Sequence, residues 1–151
     1  MGKVSRRVFI KSSALTVGLA SWPLGASAAT AFAFGRLTPE RRRTLAALVT
    51  TVAEADGTAT DGSFLRTAGS AFDSWYSSAP AETRGLVERT LDGIESHGGF
   101  SRMSRRRRLA TLRGLRHSGR QDERGLAYDA VVLASSPFGP SPYSTAGPVD
   151  I

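Results

Sequence analysis

Residues 37–56 read LTPERRRTLAALVTTVAEAD, and this stretch decides the fold class. Thr38 offers a side-chain oxygen to the free N–H groups of a starting helix. Pro39 suits the first helical position, where its missing N–H would have gone unpaired, and Glu40 sets negative charge at the positive end of the helix dipole. Leu45, Leu48, Val49 and Val52 then recur at i, i+3, i+4 and i+7, which gathers them on one apolar face. Asp56-Gly57 ends the run, and DGTATDG is a loop.

The same grammar recurs downstream. A second helix is expected over about 63–76, capped by Asp61 or Ser63, with Phe64, Leu65, Ala68, Phe72, Trp75 and Tyr76 on a broad face. SSAP opens a third, with Pro80 in its first turn and Glu82 early; Leu86, Val87, Leu91 and Ile94 form its buried side, and His97-Gly98-Gly99 stops it. A fourth element runs from Phe100 to Leu115 with Ser104 as N-cap and Leu109, Leu112 and Leu115 in register. The fifth, about 122–134, presents Leu126, Ala127, Ala130, Val131 and Leu133. No segment alternates with the period of two that a half-buried strand needs. The expectation is an all-α domain, a small bundle of about five helices, over residues 37–135. Residues 29–36 read as a linker, and 136–151 as an irregular tail that Pro137, Pro140, Pro142 and Pro148 keep out of a helix.

The first 28 residues have a different character. Lys3, Arg6, Arg7 and Lys11 form a basic region with no acid, and an uncharged, largely apolar run follows from Ser12 to Gly25. Ala26-Ser27-Ala28 supplies the small side chains that a signal peptidase requires, with Ala29-Thr30-Ala31 as a second option. Gly18, Pro23 and Gly25 interrupt the apolar run, which argues against a permanent anchor needing ~20 continuous apolar residues. Ser5-Arg6-Arg7-Val8-Phe9-Ile10-Lys11 resembles the twin-arginine export consensus, with Arg6, Arg7, Phe9 and Lys11 as its recognised residues. That motif is an address read by the twin-arginine translocase rather than a membrane anchor. It implies a folded passenger delivered to the periplasm, cell surface or medium, with membrane contact only during export.

Cleavage after residue 28 leaves roughly 120 residues, one domain's worth. The chain carries a formal charge of +7, but its only lysines, Lys3 and Lys11, lie in the leader beside Arg6 and Arg7, so the remainder is much less basic. There is no cysteine, which excludes disulfides, a lipoprotein anchor, c-type haem attachment and thiolate metal sites. Two histidines, His97 and His117, are too few for a histidine-rich metal cluster and read as turn or cap residues. No nucleophile elbow, calcium loop or dinucleotide fingerprint is present, so no catalytic, cofactor-binding or metal-binding residue is assigned.

Two features are candidates for a partner surface. Phe72, Trp75 and Tyr76 form an aromatic stripe that serves either the core or a partner groove. Arg105, Arg106, Arg107 and Arg108 place four positive charges in the first turn of a helix, against its dipole, with Arg102, Arg113 and Arg116 nearby. A run of this kind is either a solvated face or a site for an acidic protein or an anionic head group. Nucleic acid is disfavoured, because no aromatics interleave the arginines and no binding motif is present.

The leader, LTPERRRTLAALVTTVAEADGT, DGSFLRTAGSAFDSWY and FSRMSRRRRLATLRGLR together resemble the gluconate 2-dehydrogenase subunit 3 family, the small subunits of flavin-dependent dehydrogenases. The resemblance covers the leader and about residues 34–135. It implies a non-catalytic accessory subunit without a cofactor of its own. Its partner would be a large FAD-containing subunit of the glucose–methanol–choline type acting on a sugar or alcohol, in some complexes joined by a cytochrome subunit. The small subunit assists maturation and lends its export signal to the large one. The alternative is a free-standing secreted module that binds an acidic partner or anionic surface through the arginine-rich helix.

Overall fold

The computed structural model describes residues 34–135. The expected leader, with Arg6, Arg7, Phe9, Lys11, Ala26 and Ala28, and the expected tail over 136–151 lie outside the described residues. Five helices follow one another: α1 (Pro39–Ala55), α2 (Gly62–Ser78), α3 (Ala81–Ser96), α4 (Arg105–Arg116) and α5 (Gln121–Ser135), with a single 3-10 turn, Phe100–Arg102, before α4. The domain is a small all-α bundle, with no strand among the described residues.

Local chemistry sets the boundaries. The Thr38 hydroxyl accepts from the Arg41 N–H at 3.5 Å. Asp61, rather than Ser63, caps α2, its Oδ1 accepting from the Ser63 and Phe64 N–H groups at 3.0 and 2.9 Å. These bonds hold the Asp61 carboxyl below the usual carboxylate range, the Phe64 N–H contributing most. Pro80 sits at the N-cap of α3, one residue ahead of the expected first turn. The element expected over 100–115 is divided: Gly98 and Gly99 adopt φ +82° and +73°, a left-handed reversal open to glycine, and Met103 is extended. α4 then starts afresh at its Ser104 cap.

α1 lies at the centre and packs against α3, α4, α5 and the 3-10 turn, while α5 also packs against α3 and α4. At the α3–α5 contact a Cβ on Gly93 would come within 2.9 Å of a Leu126 methyl, so the missing side chain allows that close approach. α2 is absent from these close backbone pairings and reaches the core through Phe64, Ala68, Phe72 and Tyr76. The apolar face of α1 is buried as the periodicity requires, with Leu45, Leu48 and Val49 fully covered.

Three further expectations are corrected. The stretch 29–36 is not linker throughout: Phe34 is fully buried, with its ring edge-on to Phe72 at 5.5 Å, and the Gly35 and Arg36 N–H groups donate to Asp73. The fold therefore includes Phe34, whose φ of +58° is a left-handed conformation that costs a side-chain-bearing residue about 1–2 kcal/mol. Burial of its ring and the two Asp73 bonds offset that strain. Leu86, assigned to the buried side of α3, is 46% exposed. Phe72 and Tyr76, offered as partner surface, belong to the core: Phe72 is fully buried and stacked on Tyr76 at 5.2 Å, and only Trp75 stays half-buried. The stripe packs on Phe34 and on itself, so its rings go to the core rather than to solvent.

Candidate functional site

The remaining candidate, the arginine run, is divided by helix geometry. At 3.6 residues per turn, Arg105 and Arg108 fall toward the core side of α4, whereas Arg106 and Arg107 fall on the far side. Arg105 crosses to α1, with Nε 2.6 Å from Glu54 Oε2, and Thr60 donates to the other Glu54 oxygen at 2.6 Å. Arg108 is half-buried and donates from Nη1 to the Ala47 carbonyl of α1 at 3.2 Å. Burial pushes its guanidinium down from the ordinary arginine value, with Glu54 opposing that shift. The run is therefore not one outward patch of four charges. Arg108 ties α4 to α1, Arg105 pairs with Glu54 across the same seam while its side chain stays 65% exposed, and two are left over.

Arg106 and Arg107 are exposed, with no side-chain partner among the described residues. On the same outward side stand Ala110, Arg113, Gly114 and His117, all exposed, and Arg102 is exposed just upstream. Arg106, Ala110, Arg113 and His117 follow one row of the helix and Arg107 and Gly114 the next. A Cβ on Gly114 would meet nothing within 4 Å, so the middle of this surface is open. No Asp or Glu occurs between Ser96 and Gln121, so this segment supplies no counter-charge of its own. α1, α3 and α5 carry acids in their first turns, and α2 has its Asp61 cap, but α4 has none.

A second polar constellation was not anticipated from sequence. Arg41 of α1 donates from Nε and Nη2 to Asp92 of α3 at 2.9 and 2.7 Å, and Nη1 lies 2.8 Å from Glu88. The Tyr76 hydroxyl of α2 donates to Glu88 at 2.9 Å, so three helices share the network. Arg41 holds the Asp92 carboxyl below the usual range, and burial, then Glu88, pushes the Tyr76 phenol up. One helical step along, the buried Thr44 hydroxyl donates to Glu95 at 2.9 Å, and Glu95 also accepts from the Ser101 N–H and hydroxyl at 2.9 Å each. The signal was present, since Glu88, Asp92 and Glu95 are spaced i, i+4, i+7 and line one side of α3. Each acid here is engaged by the fold, which makes this seam a fastening.

His97 and His117 occupy the C-cap positions of α3 and α4. Among the described residues, no group of three His, Cys, Asp or Glu side chains is placed to hold a metal ion, and no helix is long and apolar enough to cross a membrane. Fold and surface together define a small helical bundle with a basic outer helix face. Compared with known proteins, the chain matches no family model, no curated protein and no solved structure.

Proposed function

We propose that this chain is a non-catalytic small subunit and export escort for a flavin-dependent dehydrogenase of the glucose–methanol–choline type that acts on a sugar or alcohol. The observation that carries this reading is the Ser5–Lys11 motif at the head of a small helical domain. A single bundle with neither cysteine nor nucleotide-binding fingerprint has little need of its own for a route built to move folded, cofactor-loaded cargo. The leader makes better sense if it serves a partner as well. In this reading FAD resides in the large subunit, a cytochrome subunit accepts electrons in complexes that have one, and the assembly works outside the cytoplasm.

The test is the location of the flavoprotein. Arg6→Lys with Arg7→Lys is expected to leave both chains in the cytoplasm, and the exported pair is expected to co-purify with bound FAD. Normal export of the flavoprotein from cells that lack this chain would falsify the escort role.

A second reading has an observation of its own. Arg106, Arg107 and Arg113 are exposed in a segment without any acid, which supports a free-standing exported module that binds an acidic partner or an anionic surface.

A further inference from the structure

We propose that the outward face of α4, bounded by Arg106, Arg107 and Arg113, is a docking surface for an acidic protein segment. This deepens the second reading above by naming the face and its partner.

The first support is an electrostatic conflict that the fold leaves standing. Cations at a helix N-terminus oppose the partial positive charge of the free N–H groups, and the effect is confined to the first turn. Arg105 and Arg108 recover something through Glu54 and the Ala47 carbonyl. Arg106 and Arg107 sit in that turn, exposed, in a segment with no acid from Ser96 to Gln121. Local rules broken without internal compensation are expected where a surface serves binding. A carboxylate arriving at this end meets two guanidinium groups and the positive end of the helix together, and each of those interactions is made only in the complex.

The second support selects the class of partner. A helix that lies on a membrane joins its basic face to an exposed Leu, Phe or Trp face. In α4 the apolar side chains Leu112 and Leu115 are buried in the bundle, Leu109 on the same inner side is half-buried, and between the outward arginines lie only Ala110 and Gly114. Nothing on this face inserts among acyl chains. Nucleic-acid grooves that hold single strands interleave aromatics with cations, and none is interleaved here. Small residues at the centre with arginines around them let a polypeptide approach closely while its carboxylates reach the rim, where a planar guanidinium binds two oxygens at once. Charge complementarity therefore points to an acidic protein segment.

The test uses the purified full chain and three probes: poly-L-glutamate, vesicles containing phosphatidylglycerol, and duplex DNA. Poly-L-glutamate is expected to bind most tightly, with affinity falling as salt rises. Arg106→Glu/Arg107→Glu/Arg113→Glu is expected to weaken that binding at least tenfold. The matched change Arg66→Glu/Arg84→Glu/Arg89→Glu, which alters net charge equally at exposed arginines elsewhere, is expected to leave it within twofold. Thermal unfolding of both variants confirms that they are folded, and the neutral Arg106→Gln/Arg107→Gln variant repeats the test if the charge reversal misfolds. Equal loss in both triple variants overturns the assignment to α4, and tighter binding to vesicles or DNA that the Arg106→Glu/Arg107→Glu/Arg113→Glu change weakens overturns the choice of an acidic protein. Binding to none of the probes overturns the second reading as well. The escort reading is decided separately, by where the flavoprotein goes.

Discussion

Arg41 and Arg106 stand at similar places on their helices, each in the first turn, and meet opposite fates. Arg41 faces α3 across the centre of the bundle, where two carboxylates spaced one turn apart receive all three of its bonding nitrogens. Arg106 faces away from the bundle and has no side-chain partner among the described residues. Both belong to short arginine runs, residues 41–43 and 105–108, so the run itself does not distinguish them. What differs is the helix opposite. A charge at an inter-helix seam becomes part of the fold, whereas a charge on an outer face stays available to something else.

The sharpest way to break this contrast lies on the inner side, with the aromatic stripe. Phe72→Ala removes a fully buried ring that touches Phe34, Trp75 and Tyr76. A loss of about 3–5 kcal/mol is expected in urea denaturation, a large part of what a domain of this size possesses. A loss under about 1 kcal/mol would mean that the stripe is not core.

Next comes the Glu95 junction. Glu95→Ala strands the Ser101 N–H and hydroxyl and removes one acceptor from the buried Thr44, at an expected cost of about 2 kcal/mol. Were the inner seam as dispensable as the outer face of α4, the change would be silent in the same denaturation experiment.

Acid titration ranks third. The Asp61 and Asp92 carboxyls are held below their ordinary values in the folded state, so the stability they contribute is full above about pH 4 and is lost as pH falls through their folded-state values. Asp61→Ala should therefore cost about 1 kcal/mol at pH 7, and the difference from wild type should shrink at lower pH. A gap that stays constant down to pH 2 would show that the cap does not act through its charge.

The smallest effect has the opposite sign. Arg106→Glu/Arg107→Glu replaces cations with anions at the positive end of α4, and a gain of a few tenths of a kcal/mol per site is expected, seen as a small rise in Tm at low salt. Any clear destabilisation would place these two arginines with Arg41, as part of the fold.

Much of the architecture was legible because its signals are local. Thr38, Asp61 and Ser104 cap the N–H groups two or three residues away, and the apolar spacing of Leu45, Leu48, Val49 and Val52 needs only the pitch of one helix. Leu86 departed from the pattern because periodicity assigns a side without saying how far the neighbouring helix reaches. Phe34 was misplaced for a related reason. Its place in the core depends on Phe72 and on Asp73, both nearly forty residues onward.

The division of the arginines is likewise outside the reach of local signals. By itself the sequence determined five amphipathic helices, the Thr38 and Ser104 caps, the absence of cysteine chemistry, and a basic stretch without counter-charge of its own. Which arginines that stretch keeps and which it spends was decided only by tertiary structure. The partners of Arg105 and Arg108 lie some fifty to sixty residues away, on α1, and become neighbours only when the bundle closes. Periodicity places a charge on a side of its own helix; packing determines whether a carboxylate or solvent lies across from it.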